Sequence, residues 1–142
     1  MIVDASLVID AAADPGPLGT AARDALAALP AAEELTAPGH FAVEVLSGLW
    51  TAARRPGHPL RPEDVPQTLL DAAALGIGIE ATPWVDVHRA WELSRGSLRY
   101  ADAVYVAAAE RHGDTVLTTD ARIGRSGAPT RCEVCTVVPP AG

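Results

Sequence analysis

Four carboxylates sit where plain solvation is not the obvious reading. Asp4 directly follows the apolar pair Ile2-Val3, and Asp120 ends the run Val116-Leu117-Thr118-Thr119. Glu44 lies between Val43 and Val45 in an amphipathic segment, and Asp102 opens the apolar stretch from Ala103 to Ala109. Each has a local alternative. Asp4 and Asp120 could cap the segments after them by accepting from free backbone N–H groups. Asp102 could answer the helix dipole from a first turn, and Glu44 could face water. Among the helical neighbours of Glu44, the small Ser47 and Gly48 would leave room beside its carboxylate. Taken together, two acids at strand ends and two on helices can meet at one rim of a parallel sheet. Four clustered carboxylates cannot all ionise unless a cation joins them. An oxygen-only donor set suits Mg²⁺, with Mn²⁺ as the alternative. Such an ion supports phosphodiester hydrolysis, through an activated water and a stabilised leaving oxygen.

The elements that must hold these groups can be read from periodicity and breakers. Ile2-Val3 fits a short buried strand. Ser6–Ala13 reads as a helix stopped by Asp14-Pro15-Gly16-Pro17, and Leu18–Leu29 as a second one ended by Pro30. Leu35-Thr36-Ala37 is a candidate strand, with Pro38-Gly39 as its turn. His40–Arg55 carries the stripe Phe41, Val45 and Leu49 of a strong helix. A further helix opens at Arg61-Pro62-Glu63-Asp64 and runs to about Leu75. Ile77–Glu80 reads as a strand, Val85–Leu93 as a helix, and Arg99–Arg111 as a helix closed by His112-Gly113. Thr115–Thr118 and Thr136–Val138 complete the strands. Strands that alternate with helices predict an α/β fold, a central parallel β-sheet of 4-5 strands with helices on both faces. Ligands of such sheets bind at the carboxyl ends of the strands, where Asp4 and Asp120 fall.

Composition bounds what these carboxylates can serve. A chain of 142 residues, 49% hydrophobic and 20% charged, is one domain with its own core, residues 1–142. Eleven basic residues against 18 acidic ones give a net charge of -7, so bulk attraction to nucleic acid is not expected. All eleven are Arg. The absence of Lys excludes a Walker-type phosphate loop, a Schiff-base lysine and a kinase lysine. Cys132 and Cys135 form one Cys-x-x-Cys, without the second ligand pair that a structural zinc site needs. It reads as a thiol pair of no catalytic consequence. No signal segment and no long apolar run is visible, so the expected location is cytoplasmic, with no membrane contact.

Four segments together resemble the PIN-domain ribonucleases, and among them the VapC-type toxins of bacterial toxin–antitoxin pairs. They are Ile2-Val3-Asp4-Ala5-Ser6, Phe41-Ala42-Val43-Glu44-Val45, Tyr100-Ala101-Asp102-Ala103-Val104-Tyr105-Val106-Ala107 and Leu117-Thr118-Thr119-Asp120-Ala121-Arg122. Their order, spacing and the chain length agree, and no expected acid is missing. The resemblance implies a PIN-like fold and a Mg²⁺- or Mn²⁺-dependent endoribonuclease. Asp4 and Asp102 would contact the metal, with Glu44 and Asp120 acting directly or through water. Ser6 and Thr118 would orient the carboxylates. The resemblance further implies cleavage of single-stranded or loop RNA to a 3′-hydroxyl and a 5′-phosphate, a homodimer, and a cognate antitoxin whose C-terminal segment lies in a groove near the site.

Other residues carry weaker signals. Arg54, Arg55, Arg95, Arg99 and Arg122 could meet RNA phosphates near the site, but each reads more simply as scattered solvated charge and ion pairs; Arg99, three residues before Asp102, has the best claim. Trp50, Trp84 and Trp91 read as core or dimer packing rather than base-stacking surfaces, and His40 as structural. A phosphotransfer or receiver-like domain would want a lysine, or paired acids after the first strand, where this chain has Asp4-Ala5-Ser6. A non-catalytic PIN-fold partner of an antitoxin is the other alternative, and the intact acids argue against it. Assigning four acids to one site leaves 14 against eleven Arg, so about half of the excess negative charge is local.

Overall fold

A computed structural model describes residues 1–142. Five short strands form one parallel sheet in the order β3-β2-β1-β4-β5. They are β1 (Ile2–Val3), β2 (Thr36–Pro38), β3 (Gly78–Glu80), β4 (Val116–Thr118) and β5 (Val134–Thr136). Seven helices connect and flank them: α1 (Ala5–Ala13), α2 (Pro17–Ala28), α3 (Phe41–Ala53), α4 (Val65–Ala73), α5 (Trp84–Leu93), α6 (Tyr100–His112) and α7 (Ala121–Arg125). The expected α/β architecture is therefore observed, with five strands.

The strand order places the site. From β1 the chain moves outward through β2 to β3, and then crosses back over β1 to β4. Right-handed crossovers put the helices of these two directions on opposite faces. Packing agrees: α1 meets α2 and α3, and α3 meets α4, while α5 pairs with α6. The direction of winding reverses between β1 and β4, and a crevice opens there at the carboxyl ends. Ile2 lies beside Val116 and Val3 beside Leu117, so Asp4 and Thr118 emerge next to each other. The Asp4 N–H extends the ladder by donating to the Leu117 carbonyl at 3.0 Å.

A core of 25 buried hydrophobic residues fixes this frame. Its central helix is α6, where Ala107, Ala108 and Ala109 are buried and bring the backbone close to the sheet. Gly113 ends α6 in the left-handed conformation, φ 65°, which any larger residue adopts only with strain. At the β3 edge, buried Asp86 of α5 accepts from Arg111 at 2.9 Å and 3.0 Å, and Arg111 also donates to Glu80. These pairs tie α5, α6 and β3 together.

Several boundaries differ from the sequence reading. β5 spans Val134–Thr136, two residues before the expected Thr136–Val138, because β4 pairs with Val134, Cys135 and Thr136. Pro38 closes β2 instead of turning it; it lies beside Glu80 in the register, at a strand end where a missing N–H is tolerated. The segment from Arg61 is not one helix. A 3-10 turn at Pro62–Asp64 precedes α4, and Pro66 sits in the first turn of α4. The three tryptophans are exposed, which excludes core packing for them.

Candidate active site

Asp4 stands at the base of the crevice, 4% exposed. It does not cap α1 with its side chain. Its Oδ2 instead accepts from the Ser6 and Thr118 hydroxyls, both at 2.6 Å. Those hydroxyls lie 3.0 Å apart, and each also accepts a backbone N–H from the loop after β4, Thr119 to Ser6 and Asp120 to Thr118. Ser6 and Thr118, the two polar positions that the resemblance singled out, both bond to Asp4 and to no other of the four acids. Asp4 Oδ1 accepts no hydrogen bond, and since no buried polar side-chain atom lacks a partner, it meets solvent in the crevice. Burial raises the Asp4 pKa above the ordinary carboxylate range; the two hydroxyls oppose that rise, and the charges of Asp102 and Glu44 add to it.

Glu44 sits in the first turn of α3. Its Oε1 accepts from the Tyr105 phenol at 2.6 Å and lies 3.2 Å from His40 Nε2. His40 Nε2 also lies 3.0 Å from the Ala101 carbonyl. Both partners are acceptors, so Nε2 is the protonated nitrogen. Glu44 Oε2 has no protein partner. Tyr105 lies one turn after Asp102 on α6, fully buried, and ties that helix to α3 across the site. Burial and the neighbouring Glu44 push its pKa far up, so it remains a donor. The space expected beside Glu44 at Gly48 has a different use. Gly48 faces Ile9 of α1, where an added Cβ would come within 2.3 Å of Ile9 Cδ1.

Asp102 and Asp120 are arranged differently: both oxygens of each meet an arginine. Arg99 places Nε 3.0 Å from Asp102 Oδ2 and Nη2 3.3 Å from Oδ1. Arg122 places Nε 2.9 Å from Asp120 Oδ1 and Nη2 2.6 Å from Oδ2. Asp120 also caps α7 by accepting from the Arg122 N–H at 2.9 Å, so the capping alternative holds for this residue as well. Arg122 keeps the Asp120 carboxyl below its usual range, against a smaller opposing effect of burial. The four acids share one electrostatic neighbourhood. Asp102 and Glu44 act on Asp4, Arg122 feels Asp4 and Asp102, and Arg99 feels Asp120.

No three His, Cys, Asp or Glu side chains stand ready as metal ligands around one point. The donor chemistry nevertheless fits a hard divalent cation. The site is built of carboxylates, two of them offer a free oxygen to the crevice, and Asp4 is buried among like charges that a cation would relieve.

Sequence reasoning missed three contributors. Tyr105 carries no role in the sequence reading, although its place one turn after Asp102 is a readable signal. Thr119 donates to half-buried Asp10 of α1 at 2.5 Å, which anchors the loop between Thr118 and Asp120; no local pattern announces a contact across that sequence distance. For Arg122 the sequence left a phosphate contact or scattered charge and ion pairs, and did not name Asp120 as the partner it holds.

Fold and site together define an α/β protein with an acidic crevice at the winding reversal of its parallel sheet. The PIN domain family matches residues 1–128. Ribonuclease VapC3 of Mycobacterium tuberculosis, strain H37Rv, is 34% identical over 135 residues, 89% of this chain and 86% of the relative; the sequence from strain CDC 1551 gives the same values. The chain belongs to the PIN-domain family, in its VapC-type branch. Two solved structures share the fold. The sarcin-ricin loop cleaving toxin VapC20 of Mycobacterium tuberculosis superposes with a TM-score of 0.67 at 20% identity, covering 98% of each chain. A toxin–antitoxin complex from Klebsiella pneumoniae gives 0.65 at 19% identity, covering 97% of this chain and 98% of the other. No helix is long and apolar enough to cross a membrane.

Proposed function

We propose that this protein is a divalent-cation-dependent endoribonuclease, the toxin of a toxin–antitoxin pair, with Asp4, Glu44, Asp102 and Asp120 as its catalytic carboxylates. The carrying observation is the pair of unpartnered oxygens, Asp4 Oδ1 and Glu44 Oε2, in a crevice where four acids share one field. Family membership directs that site toward RNA. Bound by these carboxylates, Mg²⁺ or Mn²⁺ would supply a Lewis acid for phosphoryl oxygens and lower the pKa of a water. The chain's own residues do the positioning. Ser6 and Thr118 fix Asp4, Tyr105 and His40 fix Glu44, and Arg99 and Arg122 set the charge at Asp102 and Asp120.

A groove of about 480 Å³ between α1, α2 and α4, lined by Val8, Ala11, Leu26, Ala72 and Leu75 with Arg23 and Asp71 at hand, supports an antitoxin segment as partner. The exposed apolar side chains of α3 and α5 support a homodimer.

The test is cleavage of total RNA by the purified protein with Mg²⁺ or with EDTA, alongside Asp102→Asn. Cleavage is expected only for the wild type with Mg²⁺. Equal degradation by wild type and variant would refute the assignment. Absence of cleavage in every arm would leave a partner-binding member of the family.

A further inference from the structure

The two covered acids and the two free ones differ in one respect: who holds the cation. Asp4 and Glu44 each leave one oxygen open, whereas Asp102 and Asp120 each spend both oxygens on a guanidinium from their own chain segment. The burial is asymmetric. The Asp102 and Asp120 side chains are 7% and 15% exposed, but those of Arg99 and Arg122 are 61% and 72% exposed. The acids are fixed in the crevice, and the arginines reach in from solvent on long, flexible stems. Four carboxylates against two guanidinium groups leave two negative charges, which one divalent ion neutralises. Neither arginine is held by any other acid. Arg99 precedes α6 and Arg122 lies on five-residue α7, so both stems start at the rim of the crevice.

We propose that Arg99 and Arg122 are tethered counter-ions that compete with the divalent cation for Asp102 and Asp120 and release to the phosphates of the nucleic acid. The inference rests on the metal-dependent nuclease reading and deepens it by assigning two positioning residues and a coupling between two ligands. A guanidinium fork matches a phosphate as well as it matches a carboxylate. A phosphodiester entering the crevice therefore draws both arginines outward and frees Asp102 and Asp120 for the metal. By linkage, nucleic acid must tighten metal binding by the same factor as metal tightens nucleic-acid binding. The arrangement keeps the site partly neutralised in the absence of substrate.

The experiment measures Mn²⁺ affinity by calorimetry for wild type, Arg99→Gln, Arg122→Gln, the double variant and Arg61→Gln. Arg61 pairs with Glu63 outside the site and controls for net charge. Both site arginines are mostly in solvent, and Arg122→Lys, which keeps the charge but loses the fork, covers the case in which a glutamine variant fails to fold. Without nucleic acid, the double variant should bind Mn²⁺ about threefold tighter or more, with Arg61→Gln unchanged. A 2′-O-methyl oligoribonucleotide should tighten Mn²⁺ binding to the wild type and leave the double variant unaffected. Arg122→Lys should fall between wild type and Arg122→Gln. Unchanged or weaker metal binding in the double variant overturns the proposal, as does equal tightening in Arg61→Gln. A wild type that binds no Mn²⁺ at all sinks the metal-nuclease reading and this proposal with it; a wild type that binds while the variants match it sinks this proposal alone.

Discussion

Asp4 shows how a single side chain trades stability for chemistry. Burial lifts its pKa, so the folded protein holds the proton more tightly than the unfolded chain does. The corresponding stability is complete below the ordinary carboxylate pKa of about 4 and is lost as pH rises through the raised folded value. Asp4→Asn keeps an oxygen for the Ser6 and Thr118 hydroxyls and removes the buried charge. Its melting temperature should therefore exceed that of the wild type by a few degrees at neutral pH, with the gap closing as pH falls toward about 4. Adding Mg²⁺ should raise the wild type and leave the variant where it was. Thermal melts across pH, with and without the metal, check both. Tyr105→Phe isolates the other anchor. Glu44 is partly exposed, so water replaces much of the lost phenol bond, and the expected cost is about 1 kcal/mol in denaturant unfolding. Activity should fall about tenfold, through a carboxylate held by His40 alone. The acids themselves were legible because a carboxylate after an apolar strand, or inside an apolar helix, violates local expectation. Of their partners, Ser6 and Thr118 were legible only through the family resemblance, because a hydroxyl meeting Asp4 from Thr118 depends on pairing across more than a hundred residues.

At the scale of elements, close helix approaches decide what the chain tolerates. Gly19 of α2 lies against the end of α1, where an added Cβ would come within 1.9 Å of the Asp14 carbonyl oxygen. At Gly48 the obstacle is the Ile9 side chain, at 2.3 Å. In an exposed helix, Gly→Ala gains up to about 1 kcal/mol. Here both substitutions should destabilise, and Gly19→Ala by more, because backbone cannot swing aside as the end of an isoleucine can. Urea denaturation should rank them wild type, Gly48→Ala, Gly19→Ala. Ile9→Ala should partly rescue Gly48→Ala and do nothing for Gly19→Ala. Helices were readable for the same reason that they pack: α3 buries side chains at helical spacing, and α6 carries an apolar run long enough for a helix buried on most sides. Two- and three-residue strands were placed less well. β5 slipped by two residues because Val134 and Val137-Val138 offer similar apolar signals, and pairing with β4 chooses between them. The glycine at position 48 misled for a related reason, since spacing names a helix face but not the neighbour that covers it.

For the whole molecule, charge and apolar surface predict opposite tendencies toward partners. The exposed Trp84, Val85 and Trp91 of α5 and Val43, Leu46 and Trp50 of α3 favour association with a second copy. Sedimentation should show a dimer, and Trp84→Glu should shift it toward monomer without unfolding it, since Trp84 is almost wholly solvent-exposed. Nucleic acid faces a net charge of -7. Most arginines are already engaged: Arg23 on backbone carbonyls, Arg61, Arg89 and Arg111 in ion pairs, Arg54 and Arg95 over tryptophan rings. Of the other five, Arg55, Arg125 and Arg131 have no acidic partner, and Arg99 and Arg122 stand beside the acids of the crevice, where they are the expected phosphate contacts. For single strands the affinity falls with salt by about 0.7 log units per contact and decade. Two contacts per subunit thus predict a slope of about -1.4 and a dimer gripping one strand through both crevices about -2.8. The measurement is fluorescence anisotropy of a labelled 2′-O-methyl oligoribonucleotide over a salt series at fixed Ca²⁺. Arg99→Gln should flatten the slope by about 0.7 for each crevice engaged. A slope as steep as that of a basic nucleic-acid-binding surface, unaffected by Arg99→Gln and Arg122→Gln, would show that RNA is held elsewhere. The shallow slope follows from the same imbalance that makes the crevice a cation site: a protein this acidic holds a polyanion where the arginines paired with its crevice carboxylates can turn to phosphate.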